Sequence, residues 1–220
     1  LHELEDWAPD LILWEAKTPS IKATWEAVRK VKAILPSCKV VLCGDHVTAL
    51  PDESYEQEGV DAVLCGGDYD FSIQRWMKDG CPGGIFWHGT TNDLTTLPII
   101  DRTLCRWKDY SRMGNYLYRP GTHGYSARDC WWRSGGGCTF CSWTNTYKNY
   151  RTMSVEQFMA DVESAHALGA REYFDDAGTW APPGRWFEDA VTCLRRFNGG
   201  KRHGRAPLTI GCNDRPGARG

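Results

Sequence analysis

The chain has 220 residues, 41% of them hydrophobic and 25% charged, with a formal net charge of −2. That length suits one large domain or two small ones, and the balance is that of a soluble, core-forming chain. Near-neutral charge gives no general pull toward nucleic acid or an anionic membrane surface, and no apolar run approaches the ~20 residues that cross a bilayer. The acidic start, Leu1 to Asp6, is not a signal peptide, so a cytoplasmic location is expected. Ten cysteines raise the question of a disulfide scaffold. Cys38, Cys43, Cys65, Cys105, Cys193 and Cys212 are scattered through apolar or strand-like segments, and a chain this long does not need staples, so reduced thiols are the better reading.

Residues 9–78 alternate strand and helix. Leu11 to Trp14 reads as a short buried strand, and Pro19 and Ser20 open a helix with Ile21, Trp25, Val28, Val31 and Leu35 at helical spacing. Lys39 to Cys43 is the next strand, Pro51 to Gln57 a short helix, Val60 to Leu64 a third strand, and Phe71, Ile73, Trp76 and Met77 a further helix. This βαβαβ order predicts a doubly wound parallel sheet. Glycines and prolines then interrupt residues 79–121, which read as an ordered linker with a small edge strand at Ile85 to Trp87 and Leu97 to Asp101 packed on a neighbour.

The βα rhythm returns after Gly124. Tyr125 to Arg128 reads as a strand, and Ser154 with Gln157 as a capping box for a helix that Gly169 ends. Arg171 to Asp176 is a strand ending in two carboxylates, Trp186 to Phe197 a helix, and Leu208 to Cys212 a strand. The expected layout is an α/β domain over 1–79, a linker over 80–121, and further βα units over 122–220. The chain starts without Met, and Arg215 to Gly220 follow directly on a strand signal, so a piece of a longer protein is expected.

Cys130, Cys138 and Cys141 lie within twelve residues, with spacing seven then two. Thiolates so spaced can reach one metal centre from a tight loop, and the Gly135 to Gly137 run frees backbone N–H groups to approach sulfur. Phe140 sits between the last two cysteines, placed to shield a cluster or pack on a ligand. The competing readings are a structural zinc knuckle with His123 as fourth ligand, and thiols that bind no metal.

The strand entering this loop, the ending Cys138-Thr-Phe-Cys141, Arg151 with the capped helix, and Gly169 to Asp176 resemble the radical S-adenosylmethionine (SAM) superfamily in order. The resemblance implies that residues 122–220 form the first βα units of a partial (β/α) barrel, with a [4Fe–4S] cluster on Cys130, Cys138 and Cys141 and one iron open to the amine and carboxylate of SAM. The family's spacing is three then two, and the four extra residues here match Ser134 to Gly137. Its Gly-Gly-Glu motif is replaced by Asp175 and Asp176, either of which would accept the methionine ammonium; the alternative is that they end a strand and cap a turn. Asn213 and Arg215 would reach ribose or carboxylate, or simply end an exposed strand.

The N-terminal part resembles the cobalamin-binding domain that often precedes such barrels. Cys43, Gly44, His46, Thr48 and Pro51 match its Gly-Gly-x-His-x-Thr-x-x-Pro loop, with Cys43 at the first glycine, and Val60 to Asp68 match its last strand and turn through Gly66 and Gly67. Glu15 stands where a serine is usual, and His46 contacts a cofactor tail or is a surface-loop histidine. Together the resemblances imply reductive cleavage of SAM to a 5′-deoxyadenosyl radical, with cobalamin-dependent methyl transfer as an extension. They also imply an electron donor such as flavodoxin or ferredoxin and a small-molecule or peptide substrate. No nucleic acid or membrane is expected as a partner. The alternative is a zinc-stabilised α/β ligand-binding module without catalytic activity.

Overall fold

A computed structural model describes the chain except residues 1, 88–91, 113, 115, 147–148, 183, 200–205 and 215–220, and the side chains of 2, 134–135 and 144–145. The chain divides into two compact units: Leu1–Asn92 with Thr139–Lys148, and Asp93–Cys138 with Asn149–Gly220. The stretch expected as a linker thus contributes to both.

The first unit opens with α1 (His2–Trp7) and β1 (Leu11–Glu15), then α2 (Ile21–Ile34), β2 (Lys39–Cys43), α3 (Asp45–Ala49), α4 (Pro51–Tyr55), β3 (Ala62–Cys65), α5 (Tyr69–Lys78) and β4 (Gly84–Trp87). The four strands form one parallel sheet in the order β1-β2-β3-β4, as the alternating pattern predicted, with Ile85 to Trp87 at its edge. β2 and β3 are apolar at nearly every position because both faces are covered. Val28 and Val31 of α2 pack with Val40, Leu42 and Val63 on one face, while Trp76 of α5 packs with Val41, Ala62 and Leu64 on the other. α3 was not expected from the sequence, since five residues are too few to show a period.

The second unit holds α6 (Trp107–Tyr110), β5 (Gly121–Gly124), β6 (Ala127–Arg128), β7 (Arg151–Thr152), α8 (Val155–Ala167), β8 (Glu172–Asp175), α9 (Arg185–Gly199) and β9 (Thr209–Cys212), while α7 (Trp143–Thr146) belongs to the first. β5, β8 and β9 form a parallel sheet in that order, and α8 and α9 cover it through Phe158, Val162, Tyr173, Leu194 and Phe197. The strand expected at Tyr125 to Arg128 is corrected: the sheet strand lies four residues earlier, and Ala127–Arg128 instead pairs antiparallel with β7. The cause is a bend at Ser126, whose N–H donates to Asp175 Oδ1 at 2.9 Å rather than to a neighbouring strand. The capping box is half formed. Ser154 Oγ accepts from Gln157 N, but the Gln157 amide reaches Leu94 O and Leu97 O, tying that segment down as expected.

Arg102 sits at the centre of this unit's polar core. It is 3% exposed, and its guanidinium donates two 2.8 Å bonds to Asp161 on α8 and others to Thr122 Oγ1 and His123 O on β5. The Tyr173 hydroxyl donates to the same carboxylate at 2.9 Å. Gly124 gives room for it, since a Cβ there would stand 1.9 Å from the Tyr173 hydroxyl. Removing one partner of such a pair leaves a buried, uncompensated charge. Asp161→Ala is expected to lower stability by about 3–5 kcal/mol in urea denaturation, and Tyr173→Phe by only ~1 kcal/mol. Equal losses would show that packing, not the charge pair, dominates.

Candidate functional site

Asp175 is the last residue of β8 and is fully buried. Its Oδ1 accepts from Ser126 N at 2.9 Å and Ala177 N at 3.2 Å, so one oxygen is spent on turning the chain at the carboxyl end of the sheet. Its Oδ2 is buried with no hydrogen-bond partner. A carboxylate oxygen in that state carries a desolvation penalty unless a ligand satisfies it. Burial pushes the Asp175 carboxyl above its ordinary value, against the hydrogen bonds from Ser126 and Ala177, and the neighbouring charge of Asp176 adds to the rise. Asp176 itself is exposed, its N–H bonded to Gly124 O. The two carboxylates are therefore not equivalent.

Asn213, just past β9, is brought to the same edge. Its amide donates to Ala177 O at 3.2 Å, and its carbonyl accepts from Trp180 N at 2.8 Å, closing the loop after β8. Arg215 lies outside the described residues.

β6 leads into the cysteine loop. Cys130 precedes a 3-10 turn over Trp131–Gly135, and Gly136 and Gly137, at φ 102° and 69°, reverse the chain toward Cys138. Cys130, Cys138 and Cys141 are half-buried, and all ten cysteines are present as thiols. Among the described residues no three His, Cys, Asp or Glu side chains stand together as a site for a metal ion, and His123 is no exception. It lies instead between the rings of Tyr116 and Phe174, at 5.2 and 5.6 Å. Tetrahedral zinc bonds of ~2.3 Å hold sulfurs about 3.8 Å apart, whereas an iron–sulfur cluster spreads its cysteines over separate irons. By donor chemistry alone, three cysteine thiols are the ligand type such a cluster takes. Phe140 is 90% exposed, so it covers nothing in this state.

In the first unit, Gly44 and Gly66 end β2 and β3 at φ 107° and 95°. Thr48 links the two loops: its hydroxyl donates to Gly44 O at 2.7 Å and accepts from Gly66 N at 2.9 Å. Both lie at the carboxyl edge of a parallel sheet, where open α/β sheets bind ligands. Gly44 is required by β1, because a Cβ would come within 3.0 Å of Ala16 O and the Glu15 side chain. Gly67 is buried beside Gly66. Cys43 is buried in the core, and burial pushes its thiol up to about 12. His46 is no surface residue: it is 3% exposed on α3, with Nδ1 3.2 Å from Thr18 Oγ1 and Nε2 3.4 Å from Glu53. The side chains open to solvent at this edge are Glu15, bonded by the Tyr69 hydroxyl, and Lys17, which pairs with Glu15 at 2.8 Å. Sequence reading noted Glu15 only as a departure and passed over Lys17 and Tyr69. Their signal was position alone, one or two residues past a strand end.

Comparison with solved structures identifies this fold. The chain matches a radical S-adenosylmethionine methyltransferase, TsrM from Kitasatospora setae, solved with cobalamin and a [4Fe-4S] cluster, at a TM-score of 0.61 and 14% identity over 95% of this chain. It shares that enzyme's fold. A second structure of TsrM, with tryptophan substrate and a SAM analog (aza-SAM), matches at a TM-score of 0.63 and 12% identity. The chain spans about half the length of these structures, 46% and 45% of each. No family model matches, and neither does any curated protein. Among the described residues no helix is long and apolar enough to cross a membrane.

The buried carboxyl generates a pH dependence. Folded Asp175 holds its proton more tightly than the ordinary value of 3.8. Between that value and the raised folded one the native state binds more protons, so stability of the ligand-free chain falls as pH rises through this window. Asp175→Asn is expected to flatten that fall, measured as urea midpoints at stepped pH. An unchanged slope would assign the proton elsewhere.

Proposed function

We propose that this chain is the cofactor-holding part of a radical SAM enzyme. Cys130, Cys138 and Cys141 ligate a [4Fe–4S] cluster, and Asp175 accepts the methionine ammonium of SAM. The carboxyl edge of β1, β2 and β3 is the surface for cobalamin. The observation that carries this reading is the buried, partnerless Asp175 Oδ2 at the end of a strand paired with the one that feeds the cysteine loop. The fold shared with TsrM supports it.

When bound, these groups supply one-electron cleavage of SAM to methionine and a 5′-deoxyadenosyl radical, and a methyl group carried on cobalamin. The chain's own contribution is placement. Asp175 is prealigned by Ser126 and Ala177, so it offers a fixed negative oxygen without reorganising. An ammonium there gains a charge-assisted bond in a dry site, which favours the ionised carboxylate over the protonated one. Asn213 holds the loop after β8 against β9 and so borders the same position. Glu15, Lys17 and Tyr69 form a linked polar rim for the flat cofactor. A one-electron donor of the flavodoxin or ferredoxin kind completes the cycle, and cobalamin-dependent methyl transfer to a small-molecule or peptide substrate is the reaction proposed.

Anaerobic reconstitution with iron and sulfide tests this directly. About four irons per chain are expected, with an EPR signal of the reduced protein that shifts on adding SAM. Asp175→Asn should keep the iron but weaken the SAM response about 10- to 100-fold, the range of a hydrogen bond to a charged group. Zinc in place of iron, or a signal indifferent to SAM, would overturn the reading in favour of a zinc-stabilised binding module.

A further inference from the structure

We infer that Asp129 and Arg133 form a clip that positions Cys130, making the long Cys130–Cys138 spacing compatible with a cluster; this rests on the cluster reading above. Asp129 is fully buried and takes a left-handed backbone, φ 70°, uncommon for a residue with a side chain. Both oxygens of its carboxylate accept from one edge of a guanidinium: Arg133 Nε donates to Oδ2 at 2.8 Å and Nη2 to Oδ1 at 2.6 Å. Such a planar fork fixes orientation as well as distance. Cys130 is the first of the three residues between the partners.

The clip closes a turn rather than a free span. Arg133 N donates to Cys130 O at 3.1 Å, Gly136 N to Arg133 O at 3.0 Å and Gly137 N to Trp132 O at 3.4 Å. Trp131 Nε1 anchors the turn on Trp180 O at 2.7 Å. Five residues in a 3-10 turn rise about 10 Å, where an extended span would cover about 17 Å. Ser134 and Gly135 of the inserted length are thereby taken into the turn that begins at Cys130. Arg133 touches no reacting atom in this account and is a positioning residue.

Two variants separate geometry from charge. Asp129→Asn keeps a side chain that tolerates the left-handed backbone, and Arg133→Lys keeps the positive charge without the fork. The metal-free chain is treated with iodoacetamide and read thiol by thiol by mass spectrometry, and iron is measured after reconstitution, with Cys130→Ala alongside. Both clip variants should alkylate Cys130 roughly tenfold faster, as a locally opened segment does, with Cys193 and Cys212 of the same unit unchanged. Their iron should fall to the level of Cys130→Ala. Wild-type alkylation and iron in both variants would overturn the clip, and so would acceleration at every thiol together, which marks general loosening. Selective acceleration at Cys130 in a wild-type background that takes no iron would sink the cluster reading while leaving the clip standing.

Discussion

The buried carboxylate of Asp175 decides how the second unit is arranged. One oxygen receives the Ser126 N–H, and that bond stops β5 at Gly124 and bends the chain away from the sheet. Because it bends there, Ala127–Arg128 pairs with Arg151–Thr152, and Met153 N can reach Ser126 O. Those contacts set both ends of the 129–150 excursion that carries the cysteines. The other oxygen of the same residue is buried without a hydrogen-bond partner, which carries a desolvation cost. One side chain thus serves as both backbone turn and loop director.

Beneath it lies a second polar constraint that supports the first. Arg102 joins Thr122 and His123 of β5 to Asp161 of α8, and Tyr173 of β8 joins the same carboxylate. Two strands and a helix are held in one register by a network in which each named charge has a partner. Asp175 is two residues from Tyr173 on β8, so its position follows from that register. The requirement for glycine at 124 has the same origin, since any larger residue would strike the Tyr173 hydroxyl.

Elements with a full period were legible in the sequence. Ile21, Trp25, Val28 and Val31 fall on one face of α2 and are buried there, and Phe158 and Val162 do the same in α8. What escaped was set by long-range polar contacts, which leave no period. Tyr125 to Arg128 looks like a strand by composition, and only a carboxylate 49 positions away shows why it is not. Arg102, among prolines and polar residues, reads as a solvated cation yet is a core residue. His46 reads as a loop residue because α3 is too short to announce itself. The cysteine spacing was plain, but the Asp129–Arg133 pair was not, because acid–base spacing of four is read as support only where a helix is already suspected.

The cysteine loop shows how a fold takes up a glycine-rich length of chain between two thiols. A glycine-rich insertion by itself adds backbone entropy and spreads the thiols. Here the glycines supply the reversing positions at 136 and 137, while the residues before them are drawn into a turn fixed by the buried Asp129 and by Trp131. An ion pair with one buried partner seldom adds much net stability over apolar packing, so the placement of Asp129 and Arg133 is better explained by the geometry it imposes than by energy. The strained backbone at Asp129 points the same way, since strain persists where the surroundings over-determine it. The fixed contacts thus gather in the segment nearest Cys130, and the chain reversals in the segment nearest Cys138.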